Sequence, residues 1–231
     1  MSKAIVLLSG GQDSTTCLYW AKAMFDEVEA ITIAYGQRHA VEIDAAVRIA
    51  ASAGVSHRVI DVPSIGGVGG SDLTKTGTAI RESGGFADRA MPQGLPTSFV
   101  PGRNAMFLTV AASFAVVRGV RDIVTGVCQT DYSGYPDCRE EFVQAMASAL
   151  TLAMPSGSGP LRIHTPLMHM TKAETVRMAM RLPGCWDALA HSVTCYNGSA
   201  CGVCPACVLR AKGFADAGKD DPATHAPAVT A

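Results

Sequence analysis

The chain has 231 residues, a formal net charge of −1 and an apolar fraction of 48%. This length suits one α/β domain with a small appendage, and the apolar fraction is enough for a substantial core. The near-neutral charge disfavours a nucleic-acid partner, since binding a phosphate backbone needs clustered Lys and Arg. The longest apolar run, residues 105–117, is too short to cross a bilayer.

The first part of the chain alternates between apolar runs and amphipathic stretches. Residues 3–8 are typical of a strand covered on both faces, and residues 15–25 follow as a helix after a glycine turn. A second strand is predicted at residues 29–34, a second helix at about residues 40–53 and a third strand at residues 58–62. Such alternation predicts a parallel sheet with helices on both of its faces.

The alternation stops at residues 63–98, which are rich in Gly, Ser and Thr and show no periodicity. A loop of this length inside a compact domain is usually a lid, a binding loop or a disordered segment. A mobile active-site loop and plain disorder are both consistent with this composition.

The second half resumes the pattern. It predicts a helix at residues 104–118, a fourth strand at 122–127, a helix at 140–154 and a short fifth strand at 162–164. A further helix follows, with a capping box that begins at Thr171. The predicted fold class is therefore α/β: a Rossmann-like, five-stranded parallel sheet flanked by helices.

The segment SGGQDS lies where the first strand leads into the first helix. Gly10 and Gly11 lack side chains, so backbone N–H groups can approach an anion closely, and the helix adds the positive end of its dipole. Ser9 and Ser14 can add hydroxyl donors. The spacing differs from that of a Walker loop, and the Gly-Lys-Ser/Thr ending is missing. The turn predicts a phosphate site at the carboxyl edge of the first strand.

The SGGQDS string resembles the pyrophosphate loop of the ATP pyrophosphatase superfamily, with its adenine nucleotide alpha hydrolase-like fold. The resemblance implies an enzyme that splits ATP, accompanied by Mg²⁺, between its α and β phosphates. It places the β,γ-pyrophosphate on residues 9–14 and the adenosine near the end of the second strand. The implied nucleotide-binding residues are Leu8, Ser9, Gly10, Gly11, Gln12, Asp13, Ser14, Thr15, Thr16, Cys17, Leu18, Ile33, Ala34 and Gly126.

Four further segments narrow the resemblance: YGQRH, LPTSFVPGRN, GVCQTDYSGYPDCR and HTPLMHMTKAE. With the cysteine cluster described below, they resemble the 7-cyano-7-deazaguanine synthase family over residues 3–210, although that family usually has Asn where this chain has Thr97. The resemblance implies a C–N-forming ligase of queuosine biosynthesis, which uses ATP and ammonia to convert the carboxylate of 7-carboxy-7-deazaguanine into a nitrile. It also implies a homodimer. Because no glutaminase domain fits, ammonia is expected to come from solution.

Three residues are predicted to be catalytic: Asp13, Arg103 and Lys172. Arg103 and Lys172 each lie at the start of a predicted helix, where the dipole disfavours a cation, so a role in binding phosphate is favoured over a solvated side chain. Asp13 either helps to hold magnesium or caps the first helix. Asn104 either caps its helix or touches the ligand.

A polar loop after the fourth predicted strand is the candidate base-binding site. A guanine-like base offers N–H donors that suit a carboxylate and a face for aromatic stacking, so Asp131 or Asp137 is predicted to bind those donors. Arg139 either meets the substrate carboxylate or forms an intramolecular salt bridge. The predicted substrate-binding residues are Arg38, Asp131, Tyr132, Ser133, Tyr135, Asp137 and Arg139.

Four of the eight cysteines crowd together, with gaps of five, two and two residues: Cys195, Cys201, Cys204 and Cys207. Four thiolates can form a closed, structural zinc site, and the spacing also allows an iron–sulfur cluster. The family resemblance favours zinc. Clustered cysteines and the lack of a signal-like segment indicate a reducing cytoplasm. The expected organisation is a catalytic domain at 1–190, a zinc-binding helical segment at 191–213 and a flexible tail at 214–231.

Two other functions share parts of this pattern. A tRNA-thiolating or other tRNA-modifying enzyme has the same first turn, but it needs a basic surface or an RNA-binding domain. A non-catalytic, zinc-stabilised nucleotide-binding module does not explain the crowded polar loop at residues 131–139. The expected partners are therefore the small-molecule substrates, with no nucleic acid and no membrane.

Overall fold

The computed structural model describes residues 1–37, 41–62, 71, 73–74, 98–130, 134–155, 157 and 159–225. Five strands form one sheet in the order β3-β2-β1-β4-β5: β1 (Lys3–Leu7), β2 (Glu27–Ala34), β3 (Ser56–Asp61), β4 (Asp122–Val124) and β5 (Arg162–His164). All neighbouring pairs are parallel, so the predicted five-stranded parallel fold is confirmed. Most of the predicted loop at residues 63–98, with Thr97, lies outside the described residues.

Seven α-helices accompany the strands in the described ranges: α1 (Gln12–Met24), α2 (Val41–Ser52), α3 (Arg103–Val117), α4 (Glu140–Ala153), α5 (Lys172–Arg181), α6 (Cys185–Leu189) and α7 (Pro205–Ala217). The predicted capping box is confirmed at α5, where the Thr171 hydroxyl accepts from the Glu174 N–H and the Glu174 carboxylate accepts from the Thr171 N–H. The first helix begins at Gln12 rather than at residue 15, so the glycine turn is shorter than predicted.

The core lies on both faces of the sheet. Adjacent residues of β1 point to opposite sides: Ile5 packs in the cluster that contains Leu108 of α3, and Val6 packs in the cluster that contains Leu18 of α1. All four side chains are buried, and each such burial contributes about 1.5–3 kcal/mol. Because helices cover both faces, β1 is a continuous apolar run rather than an alternating one.

The C-terminal part of the chain folds back onto the domain. Helix α7 packs against α5, and it continues to Ala217, so the predicted boundary at residue 213 falls inside a helix. Beyond it, Asp221 accepts two hydrogen bonds from Arg210, at 2.6 and 2.8 Å. This ion pair holds the segment between the end of α7 and Asp221 against the domain.

The strand order places a binding crevice at one edge of the sheet. Strand β1 lies between β2 and β4, so the chain crosses from β1 to one side of the sheet and later returns to the other side. Ligands of open α/β sheets bind at such a switch point, outside the carboxyl ends of the strands.

None of the helices in the described ranges has both the length and the apolarity to cross a lipid bilayer.

Candidate active site

The turn between β1 and α1 is held from two sides. Gly10 adopts a φ of 83°, and an added Cβ would lie 2.3 Å from the backbone oxygen of Glu42 in α2. On the other side, the Val193 N–H donates to the Gly10 carbonyl at 2.9 Å. Both the left-handed backbone and the close approach of α2 require glycine at this position.

Two serine hydroxyls organise the turn from within. The Ser9 and Ser14 oxygens lie 3.0 Å apart, and the Ser14 hydroxyl accepts from the Ser9 N–H at 3.1 Å. Helix α1 begins one residue after Gly11, so its first backbone N–H groups and its dipole face the crevice. An anion at this point would meet hydrogen-bond donors and the positive end of the helix dipole.

Two buried polar atoms beside the turn have no hydrogen-bond partner among the described residues: Gln12 Nε2 and Asp13 Oδ1. Gln12 is only 2% exposed, and both residues line the same cavity. A buried, unsatisfied polar group costs about 1–3 kcal/mol unless a partner arrives. A donor and a carboxylate oxygen at this point fit a phosphate group and its accompanying cation.

Asp13 and Lys172, both predicted to be catalytic, meet at the turn. Lys172 Nζ lies 2.5 Å from Asp13 Oδ2, and the two side chains are 14% and 27% exposed. Lys172 is the first residue of α5, and an added Cβ on Gly213 of α7 would lie 2.6 Å from its Cβ. The structure thus puts a cation beside the glycine turn, with α7 packed tightly behind it.

Arg103, the third predicted catalytic residue, lines the same cavity and lies among aromatic side chains. Its guanidinium is 6.0 Å from the Tyr35 ring centroid. Burial acts to lower the pKa of Arg103, but nearby Tyr35, Tyr135 and Asp137 outweigh it, and its pKa is raised overall. Burial raises the pKa of Glu42 to about 7, although the Arg103 charge opposes this. This side of the cavity therefore combines a fixed cation, aromatic faces and a carboxyl group.

One cavity of about 320 Å³ joins these two sides. It is lined by many of the predicted nucleotide-binding and catalytic residues: Leu8, Ser9, Gly11, Gln12, Asp13, Ser14, Ile33, Gly126, Arg103 and Lys172. The other predicted nucleotide-binding residues lie outside its lining: Gly10, Thr15, Thr16, Cys17, Leu18 and Ala34. The hydroxyls of Thr15 and Thr16 donate to the backbone carbonyls four residues earlier in the chain, those of Gly11 and Gln12. The side chains of Cys17 and Leu18 belong to the core.

The predicted substrate-binding residues are placed differently from one another. Tyr135 lines the cavity, and its hydroxyl lies 2.6 Å from Ser98 Oγ. Asp137 is buried and accepts from the Asn104 N–H at 3.2 Å, which satisfies a donor at the start of α3. Arg139 is exposed and precedes α4. The remaining four lie outside the described residues: Arg38, Asp131, Tyr132 and Ser133.

Several cavity residues were not predicted from the sequence, and those with polar or ionisable groups include Glu42, Thr194, Tyr196 and Arg210. Glu42 lies in the first turn of α2, where an acidic residue is ordinarily explained by the helix dipole. Thr194 and Tyr196 flank Cys195, so their proximity to the cysteine cluster is the signal that could have drawn attention to them. Arg210 lies in α7, two residues before the exposed Lys212, and the sequence alone does not distinguish it from such a surface cation.

The four clustered cysteines converge, with all sulfur atoms within 4.8 Å of one another. The pairs Cys201–Cys207 and Cys195–Cys204 are each separated by 4.0 Å. Four thiolates around one ion at ~2.3 Å would be separated by about 3.8 Å, so the group fits a single tetrahedral metal ion. The N–H of Cys204 donates to Cys201 Sγ, and such a bond stabilises a thiolate.

The sequence profile described as queuosine biosynthesis protein QueC matches residues 3–218. A protein of Chromobacterium violaceum named 7-cyano-7-deazaguanine synthase is 54% identical over 224 residues, which cover 95% of this chain and 92% of that protein. One of the same name from Laribacter hongkongensis is 54% identical, covering 95% and 93%.

A solved 4-thiouridine synthetase–RNA complex with bound ATP aligns with a TM-score of 0.52 at 16% identity, covering 93% of this chain and 53% of that one. At this identity, the likeness concerns the fold alone. The profile and the two close relatives agree with the resemblance found in the sequence, and they extend over nearly the whole chain. This chain belongs to the queuosine biosynthesis protein QueC family.

Proposed function

We propose that this protein is an ATP-dependent, C–N-forming ligase that converts 7-carboxy-7-deazaguanine and ammonia into 7-cyano-7-deazaguanine. One observation carries the proposal beyond family membership. A phosphate-binding turn with the Asp13–Lys172 pair opens into the same cavity as Arg103 and its aromatic neighbours. A nucleotide and a planar substrate can therefore be bound side by side.

The phosphate side has the groups needed to hold the triphosphate of ATP. The N-terminus of α1, Gln12 Nε2 and Lys172 supply donors and positive charge, and Asp13 offers a carboxylate oxygen for Mg²⁺. Ile33 and Gly126 line the adjoining wall, where the adenosine would lie. Helix α1 and the segment that follows β4 approach closely here, since an added Cβ on Gly126 would lie 3.2 Å from the Ser14 nitrogen.

Bound ATP supplies an adenylyl group, which turns a poor leaving group, the oxygen of a carboxylate or an amide, into a good one. Lys172 would hold positive charge where the pyrophosphate separates, and Arg103 would supply a second positive charge in the same cavity. Tyr35 and Tyr135 offer faces for a flat base, and Glu42 is a carboxyl group that could accept a proton from the incoming nitrogen. Ammonia would enter from solution.

The cysteine cluster would hold one structural Zn²⁺. A catalytic zinc keeps an open position for water or substrate, whereas four thiolates close the coordination shell. The thiol separations favour a single ion over an iron–sulfur cluster, because a cluster places its own atoms between the thiolates and spreads them apart. The metal would therefore stabilise the C-terminal segment rather than take part in the reaction.

We expect a cytoplasmic homodimer. Val117 and Leu152, near the ends of helices α3 and α4, which contact each other, are 83% and 86% exposed, so association through these helix ends would remove both side chains from water. Light scattering on the purified protein should give about twice the chain mass of 24.0 kDa. A mass of one chain across micromolar concentrations would contradict the dimer.

One incubation tests the activity. The purified protein is mixed with ATP, Mg²⁺, ammonium and 7-carboxy-7-deazaguanine, and the products are followed by mass spectrometry. The nitrile should accumulate only when all four are present, together with AMP and pyrophosphate. If the base remains unchanged, or if a tRNA is thiolated when a sulfur donor is supplied instead, the proposed reaction is wrong.

A further inference from the structure

The segment just before the cysteine cluster lies along the phosphate-binding turn. The Val193 N–H donates to the Gly10 carbonyl at 2.9 Å, and the Gln12 N–H points to Thr194 Oγ1 at 3.4 Å. Thr194 also lines the cavity, next to the turn. This residue is therefore in place to touch whatever the turn binds.

Arg210 of α7 fixes the orientation of Thr194. Its Nη1 donates to Thr194 Oγ1 at 2.8 Å and to Ser192 Oγ at 2.9 Å, while its other nitrogens hold Asp221. Arg210 is only 7% exposed, so this is a buried and charge-balanced brace. It lies about one helical turn after Cys207 in α7, the helix that Cys204 directly precedes. The brace is thus attached directly to the metal-binding segment.

The hydrogen bonds of Thr194 leave one group unused. A hydroxyl has two acceptor lone pairs and one proton to donate, and the N–H groups of Arg210 and Gln12 occupy both lone pairs. Within the described part of the chain, no acceptor takes the proton of the hydroxyl. Accepting a hydrogen bond from a guanidinium polarises a hydroxyl and makes it a stronger donor. The remaining donor capacity of Thr194 is therefore available to an anion in the cavity.

We propose that the Thr194 hydroxyl is a phosphate-binding group of the nucleotide site, and that Arg210 is the residue that positions it. The inference rests on the proposed ATP site, and it adds a donor from outside the SGGQDS turn. It also links the metal site to nucleotide binding. Folding of the cysteine segment places Arg210, and Arg210 orients the Thr194 hydroxyl toward the terminal phosphates of ATP.

The test is equilibrium binding of ATP and of AMP to the zinc-loaded protein and to Thr194→Val. Valine has the shape of threonine but no hydroxyl. Loss of one charge-assisted hydrogen bond should weaken ATP binding about tenfold, while AMP, which lacks the terminal phosphates, should bind as before. Thr194→Ser should restore ATP binding. Asp221→Asn should shift it in the same direction as Thr194→Val, by a smaller factor, because it loosens Arg210.

Thr109→Val is the matched control. Its hydroxyl donates to the Ala105 carbonyl on an exposed face of α3, so its removal should change neither affinity. Zinc content and melting temperature report whether each variant is folded. Equal weakening of ATP and AMP by Thr194→Val would mean that Thr194 merely supports the fold of the site, and unchanged ATP binding would exclude the contact. Both results overturn the inference, whereas a wild-type protein that binds no ATP would refute the proposed function itself.

Discussion

Cys204→Ser is expected to release the metal and to abolish activity by detaching the C-terminal segment from the nucleotide site. Cys204 is fully buried and directly precedes α7, the helix that carries Arg210 and packs against Lys172 through Gly213. Where a structural zinc site forms only in the folded state, the free energy of metal binding contributes directly to folding.

The measurements for Cys204→Ser are metal content, melting temperature and turnover. We expect metal content to fall from about one ion per chain to near zero, and turnover to fall by at least about 100-fold, since both Lys172 and Thr194 lose their support. Cys185→Ser removes an equally buried thiol outside the cluster and should retain the metal. Full activity in a metal-free Cys204→Ser protein would show that the cluster does not support the site.

The sequence predicts the sheet well because its strongest signals are local. The continuous apolar run of β1, the glycine turn and the capping box at Thr171 each depend on a few adjacent residues. Helix α6 is only five residues long, too short for its periodicity to show. Helix α7 starts inside the turn-rich cysteine cluster, whose turn signals hide where the helix begins, although proline is favoured at a first helical position. The length of α7 depends on its packing against α5, which no local pattern records.

The residues of the candidate site also fall into two groups, those with a local sequence signal and those without one. Lys172 was identified because a cation at a helix start is electrostatically misplaced, and Asp13 because it belongs to the turn. Their contact joins residues 159 positions apart. Thr194 and Arg210 carry no such local signal, because each acquires its role only when α7 brings Arg210 against the segment that follows α6. Residues whose task is to orient another residue are thus visible in the structure and not in the sequence.

Lys172→Met is expected to lower turnover by about 100- to 1000-fold, the usual cost of removing a group that stabilises developing charge in a secluded site. Methionine keeps most of the length of the side chain, so packing against Gly213 is retained while the ammonium is lost. The measured quantity is nitrile formed per chain at saturating ATP and ammonium. A parallel titration with ATP separates weaker nucleotide binding from slower chemistry.

Lys212→Met is the matched control for Lys172→Met, since Lys212 pairs with Asp216 on the outer face of α7, where both side chains are at least half exposed. An exposed ion pair is worth little, so turnover should stay within about twofold of the wild type. Asp13→Asn distinguishes two explanations for a slow Lys172→Met enzyme. If Asp13 holds Mg²⁺, Asp13→Asn should raise the Mg²⁺ concentration needed for half-maximal turnover, whereas Lys172→Met should not. Wild-type turnover in Lys172→Met would show that the ammonium serves only to balance the Asp13 carboxylate, and the charge beside the turn would then have to come from another residue.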